Sequence, residues 1–217
     1  MAPAPYPRTP YLWAFETTTQ GGDRVLAPAE ISDWLLHPVV VEEKLDGANV
    51  SIWWERNQLR VASRGGSDAM DRGRQLGPLR SRVNTGCGQL QPLLENGLVL
   101  YAEWLWLTHT VRYDQLIDYL VVLDFRRPDE GFVELYERDR LSRAHELVVP
   151  PRLFDGVLGS KDALVKLMGR SRLGSELMEG AVLRRDDGQR CKVLRPGFVR
   201  AGDADIGRSR NVLAPPT

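Results

Sequence analysis

Short apolar runs of strand length, separated by turn signals, recur along the chain. Val39–Val41 leads into Glu42-Glu43-Lys44, and after Asp46-Gly47 comes the alternating run Val50–Trp54. Arg56-Asn57 separates that run from Leu59–Ser63, which predicts a hairpin. Leu98–Trp106, interrupted by one carboxylate at Glu103, and Tyr119–Phe125 read as buried strands. Leu177–Leu183 carries Glu179 inside it, turns at Asp186–Gly188 and returns antiparallel as Arg190–Leu194. Helical patterns fall at Pro28–Leu36, at 89–96, at 138–146 and at Ser160–Met168, the last with Ser160 as N-cap and Gly169 as C-cap. Ser63-Arg64-Gly65-Gly66 opens a stretch rich in glycine and arginine that reads as a long polar loop. Residues 1–12 are proline-rich and read as an extended N-terminal strap packed over the domain. Six or more strands joined largely by hairpins, with about three helices, predict an α+β fold of antiparallel sheets flanked by helices. Neither a repeat nor a long linker divides the pattern, so residues 1–217 are expected to form a single domain.

Composition narrows the class. Of 217 residues, 42% are hydrophobic and 27% charged, as in ordinary globular proteins, and the apolar runs stop well short of membrane-spanning length. The opening MAPAPYPRTP has no apolar core of an export signal. Two cysteines, Cys87 and Cys191, are too few for a disulfide scaffold or a cysteine-built metal site, and a reducing cytoplasm is the expected location. Net charge is zero, so a nucleic-acid partner must be met by a local patch. Arg56–Arg82 holds seven arginines against Asp68 and Asp71; Arg184–Arg210 holds seven arginines and Lys192 against four aspartates. Each could be a phosphate-binding face or plain arginine-rich surface.

The basic residues comprise 25 arginines and only four lysines: Lys44, Lys161, Lys166 and Lys192. A chain so biased to arginine keeps lysine where an amine must lose its proton and attack, which guanidinium cannot do. Lys44 ends one apolar strand and precedes a carboxylate and a glycine turn. Lys44, Glu103, Glu179 and Lys192 are the charges embedded in apolar strands, and buried charges must be paired or hold an ion. On pattern alone two readings stand: a pair of structural salt bridges, or a site for a polyanion and a hard cation with one amine as nucleophile.

The Glu42–Asn49 stretch, EEKLDGAN, resembles the lysine motif of the covalent nucleotidyltransferases: ATP-dependent RNA ligases, DNA ligases and mRNA capping enzymes. Further motifs follow in the family's order. Ser63-Arg64-Gly65 resembles the arginine motif, Tyr101–Trp104 the ribose-contacting glutamate motif, and Val121–Asp124 the strand behind the adenine. Glu179–Leu183 resembles the metal-associated glutamate motif and Arg190-Cys191-Lys192 the final basic motif. The likeness covers about residues 39–200 and is greatest to the RNA ligase family, in the branch of the phage nick-sealing enzyme.

That resemblance implies an adenylation domain without an appended C-terminal OB barrel, using ATP and Mg²⁺ (or Mn²⁺). Lys44 attacks the α-phosphorus and becomes lysyl-AMP; AMP passes to a 5′-phosphate end, and a 3′-OH displaces it to seal the strand. By the same resemblance Lys44, Asp46 and Lys192 are catalytic. Glu43, Asn49, Arg64, Glu103, Leu123, Glu179, Arg190 and Lys192 contact the nucleotide, and Asp46 and Glu179 position the metal. Lys192 and Arg190 are expected to lower the Lys44 pKa. Leu123 stands where an aromatic residue usually stacks on adenine, with Val182 or Leu183 expected on the other face of the base, and Arg190 stands where lysine is common.

The implied partner is nucleic acid (RNA ends or nicks, including RNA/DNA hybrids), with no membrane; oligomeric state is open. Alternatives are a minimal DNA nick ligase, a capping-type guanylyltransferase and a non-catalytic nucleotide- or RNA-binding module. His109 reads as structural, His37 and His145 as surface positions, and Trp53 and Trp54 as core residues beside the site.

Overall fold

A computed structural model describes residues 3–14, 22–64, 72–127, 129–202, 206–207 and 209–215. Among the described residues, nine strands and five helices run in the order α1 (Pro28–Leu36), β1 (Val39–Lys44), β2 (Ala48–Glu55), β3 (Gln58–Ser63), α2 (Arg72–Thr85), α3 (Cys87–Leu94), β4 (Val99–Trp104), β5 (Leu120–Arg127), β6 (Gly131–Phe132), α4 (Leu135–Ala144), β7 (Arg152–Gly156), α5 (Lys161–Leu167), β8 (Gly180–Arg184) and β9 (Arg190–Leu194). They form two antiparallel sheets, β7-β1-β8-β9 and β3-β2-β4-β5-β6. The α+β expectation holds.

Strand alternation sorts the side chains of the first sheet onto two faces. Val39, Val41, Ala181, Leu183, Cys191 and Val193 pack with Trp34 of α1 and Leu164 of α5 in one core. The register aligns Glu42 with Val182 and Val182 with Lys192, and places Lys44 beside Gly180, so the opposite face is charged. In the second sheet Val50, Ile52, Leu100, Ala102 and Val122 pack against Leu76, Leu79 and Val83 of α2 and Leu90, Leu93 and Leu94 of α3. Its other face carries Asn49, Ser51 and Trp53, paired with Glu103, Tyr101 and Arg60. Each sheet thus has an apolar face backed by helices, and charged residues from both meet at a cleft.

Several elements differ from the sequence reading. The expected polar loop after Arg64 contains a helix, α2: Leu76, Leu79 and Val83 follow helical spacing and are buried, although Gly77 and Pro78 interrupt the pattern. Residues 65–71 of that loop, including Gly65 of the arginine motif, lie outside the described residues. Strand β7, absent from the reading, covers the edge of β1. Helix α4 begins at Leu135 rather than 138. Helix α5 is capped by Ser160, whose side chain accepts from the Ala163 amide, but its C-cap is Met168 and not Gly169. Residues Pro3–Pro10 run without regular structure; Lys192 donates its amide to Pro10 O at 2.9 Å and Leu12 donates to Lys192 O at 2.7 Å.

A buried charge lattice ties the two sheets together. Glu42 of β1 accepts from Arg184 Nε (2.6 Å) and Arg138 Nη1 (3.1 Å), and Arg184 Nη1 reaches both Asp124 oxygens at 3.0 Å. The register of β5 slips at Leu123, leaving it opposite no residue of β4. Its carbonyl accepts instead from Arg138 Nη1 (3.2 Å) and Arg184 Nη2 (3.1 Å). Tyr6 donates its hydroxyl to Asp124 and packs on Tyr101 and Phe132, which fastens the N-terminal segment to the lattice. The two guanidinium charges hold the Glu42 carboxyl below its usual range against the cost of burial. Replacing Glu42 by Leu removes the carboxylate that Arg184 and Arg138 share, leaving Arg184 with Asp124 and Arg138 with Asp139, and urea unfolding is expected to show a loss of about 3 kcal/mol. A loss under about 1 kcal/mol would mean that water compensates the lattice.

Candidate functional site

The cleft between the charged sheet faces has a volume of about 650 Å³, within the range of small-molecule sites. Lys44 reaches it from the end of β1, with a side chain 18% exposed, and pairs with the fully buried Glu179. Backbone contact makes this pairing possible: a Cβ on Gly180 would collide with the Val193 carbonyl, so only glycine lets β8 and β9 close beside the lysine.

The Asp46-Gly47 turn presses onto β4. A Cβ on Gly47 would lie 2.7 Å from Trp104 O and from Leu105 Cδ2, which accounts for the glycine in the lysine motif. Gly47 N donates to Glu103 Oε1 at 3.1 Å, and Asn49 Nδ2 to Glu103 Oε2 at 3.4 Å. Asp46 Oδ2 accepts from the Thr110 and Val111 amides at 2.6 and 2.8 Å. Its own amide donates to the Tyr113 hydroxyl at 2.9 Å. Three carboxylates, on Glu179, Asp46 and Glu103, are thereby fixed around one amine.

Their field decides the protonation of Lys44. Burial alone would lower its pKa, but Glu179, Asp46 and Glu103 outweigh burial and raise it. Burial also raises Glu179 against the attraction of Lys44. With Asp46 and Glu103 nearby, the proton of the pair stays on the amine. The expected lowering of the Lys44 pKa by Lys192 and Arg190 is therefore not what this arrangement produces. Lys192 lines the cleft, its pKa lowered by burial and by the Lys44 charge, but it is clasped by Asp23 at 2.5 Å and lies over Tyr11.

Arg190 is not among the cleft-lining residues. It pairs with Asp124 at 3.0 Å and lies between Tyr6 and Phe132, 4.3 and 4.5 Å from their ring centroids. Glu43 follows the opposite strand parity from Lys44, and its carboxylate is taken by Ser171 Oγ (2.5 Å) and the Arg172 amide (2.8 Å). Glu43 still lines the cleft, with both carboxylate oxygens engaged in these bonds. Arg64 stands exposed at the cleft margin, while Leu123 and Val182 line the cleft as its aliphatic part. His109 also lines it and pairs with Gln75 at 3.1 Å. Trp53 and Trp54 face opposite sides of β2 and neither lines the cleft.

Sequence reasoning missed Glu42, Arg184, Arg138 and Asp124, although Glu42 and Arg184 line the cleft. The available signal was parity. Glu42 shares a strand face with Lys44, and Arg184 shares one with Val182.

A hard cation fits this donor set. Glu179 Oε1 is buried without a hydrogen-bond partner among the described residues, while Oε2 engages Lys44; Arg200 is 3.7 Å from Oε1. No group of three or more His, Cys, Asp or Glu side chains among the described residues forms a complete cage. One or two carboxylates completed by water and phosphate oxygens is the usual arrangement for Mg²⁺.

Residues 37–196 match the family model for RNA ligase. Among solved structures, the Naegleria gruberi RNA ligase with PPi aligns at a TM-score of 0.60 and 18% identity, over 87% of this chain and 59% of that one. Variants of the same ligase with AMP and Mn and with ATP and Mn align at 0.57 and 17% identity, over 77% of this chain and 52% of theirs. The chain thus spans between half and three fifths of the length of these structures, and the likeness is one of fold. No curated protein matches the chain.

The half-buried Glu103 provides a test of the site's electrostatics. Burial pushes its carboxyl from 4.5 up to about 7, against the Lys44 charge and the Asn49 and Gly47 hydrogen bonds. The folded pKa exceeds the unfolded one, so this contribution to stability is fully present below about 4.5 and lost as pH rises through about 7. Urea unfolding at about pH 5 and about pH 8 is expected to show a smaller loss on raising the pH for Glu103→Gln than for the wild type. Equal losses would contradict the raised carboxyl.

Proposed function

The chain belongs to the RNA ligase family, and we propose on that basis that it is an ATP-dependent RNA ligase acting through a lysyl-AMP intermediate. The observation that carries the reading is a cleft lysine, Lys44, paired with a buried glutamate that keeps its second oxygen without a hydrogen-bond partner among the described residues. In this reading the Lys44 amine gives its proton to Glu179 Oε2 and attacks the α-phosphorus of ATP. The bond to pyrophosphate breaks as the nitrogen–phosphorus bond forms. A 5′-phosphate oxygen then takes the AMP from Lys44, and a 3′-OH attacks that activated phosphate, forming the phosphodiester and releasing AMP.

Glu103, held by Gly47 and Asn49, accepts from a ribose hydroxyl; Leu123 and Val182 flank the base; Arg64 and Lys192 face phosphate. Glu179 and Asp46 are the residues that would hold Mg²⁺ or Mn²⁺, which when bound supplies positive charge against that developing on the phosphate oxygens. The sealed partner is RNA, as nicks or ends. A reducing cytoplasm suits the buried free thiol of Cys191; no helix among the described residues is long and apolar enough to cross a membrane.

Incubation with ATP and Mg²⁺ is expected to give a species heavier by one AMP, seen by intact mass and absent in Lys44→Ala. Sealing of matched RNA and DNA nicks is expected to favour the RNA strand. Label transfer from GTP instead of ATP would overturn the adenylate assignment, and preferential DNA sealing the RNA one.

A further inference from the structure

Arg200 belongs to the arginine-rich stretch 184–210 but to none of the motifs, and it lines the cleft. The chain after β9 sets its position. Arg195 donates its amide to Glu179 O at 3.0 Å and its Nε to Met178 O at 2.8 Å. Phe198 N closes a turn on Arg195 O at 3.2 Å, with Gly197 at φ 71°. Phe198, 3% exposed, packs in one core cluster with Tyr11 and Leu45. On the other side, Ala201 N donates to Thr110 Oγ1 at 3.0 Å, and the Thr110 amide in turn holds Asp46. The backbone of Arg200 is thus fixed by the same segments that place Glu179 and Asp46, while its side chain stays 57% exposed.

Glu179 stands between two cations. Its Oε2 takes Lys44, and its Oε1 faces the Arg200 guanidinium at 3.7 Å, too far for a hydrogen bond. A pair at that distance with one partner in solvent adds little to the fold. Strand β8 gives the cleft a direction. Gly180, next to Glu179, pairs with Lys44; Val182 pairs with Glu42; Arg184 pairs with Val40 and reaches the Leu123 carbonyl. The aliphatic part of the cleft, Leu123 and Val182, therefore lies towards the Arg184 end of the strand, and Arg200 lies at the Glu179 end. At roughly 3.3 Å per residue these ends of the site are on the order of 10 Å apart, the reach of a nucleotide from base to outer phosphates.

We propose that Arg200 binds the outer phosphates of ATP and holds the pyrophosphate as it leaves. This deepens the ligase reading and rests on it. With the base at Leu123 and Val182 and the α-phosphorus at Lys44, the rest of the triphosphate extends towards Arg200. As the Lys44 nitrogen bonds to the α-phosphorus, the bond from that phosphorus to the bridging oxygen breaks. Its electron pair leaves with pyrophosphate, and the guanidinium fork meets the added negative charge.

The test is calorimetric titration of the unadenylated protein with inorganic pyrophosphate and, separately, with AMP, both in Mg²⁺. Wild type, Arg200→Gln and Arg200→Lys are compared. Arg200→Gln is expected to weaken pyrophosphate roughly tenfold, as for loss of one charged hydrogen bond, and to weaken AMP much less. Arg200→Lys, which keeps the charge, is expected to recover part of that loss. Wild-type pyrophosphate affinity in Arg200→Gln, an equal loss for AMP, or a wild type that does not bind pyrophosphate would overturn the proposal. Pyrophosphate binding needs no chemistry, so its failure is separable from failure of the ligase reading, which adduct formation reports.

Discussion

One ammonium among three carboxylates is the constraint on which the rest of this architecture depends. Lys44 cannot be held beside Glu179, Asp46 and Glu103 by its own strand alone, because each carboxylate comes from a different segment. The β1–β8 register brings Glu179 alongside, the tight Gly47 turn sets Asp46, and β4 delivers Glu103. Beneath them the Glu42–Arg184–Asp124 lattice locks β1 to β8 and β5. An amine so placed is stored as its conjugate acid. In the proposed reaction it acts as a nucleophile only once its proton has left.

The lattice has an economy of its own. Arg184 and Arg138 neutralise Glu42 and also satisfy the Leu123 carbonyl that the β5 bulge removes from the sheet ladder. The irregularity that turns Leu123 into the cleft is therefore stabilised by the same charges that fix the strand carrying Lys44. Tyr6 and Arg190 close the lattice from the other side at Asp124. Arg190, expected at the nucleotide, is paired with Asp124 in this lattice.

Much of this was legible in the chain because strand patterns and tight turns leave local marks. Helix α1 has its sequence-expected bounds, and the hairpins at Arg56-Asn57 and Asp186–Gly188 were signalled by turn residues, with positive φ at Arg56, Asn57 and Gly188. Lys44, Glu103 and Glu179 stood out as charges in apolar runs, and they converge. Helix α2 was hidden because its glycines and proline mask a sparse leucine stripe. Strand β7 was hidden because Arg152–Gly156 shows no alternation. The division of labour between Glu42 and Glu43 needed strand parity: adjacent carboxylates point to opposite faces, one to the arginine lattice and one to Ser171. Neither arginine partner lies near Glu42 in sequence, so the lattice itself leaves no local signature.

The central claim concerns where the Lys44 proton sits, and four lysines make it directly measurable. Lysine labelled at the ε-carbon gives few NMR signals, and Lys44→Arg assigns one of them. The account predicts that this signal titrates above the ordinary lysine value of 10.5 in the unliganded protein. It also predicts that Glu179→Gln, by removing the closest carboxylate charge, moves that midpoint down. A wild-type midpoint below 10.5, or one indifferent to Glu179→Gln, would contradict it.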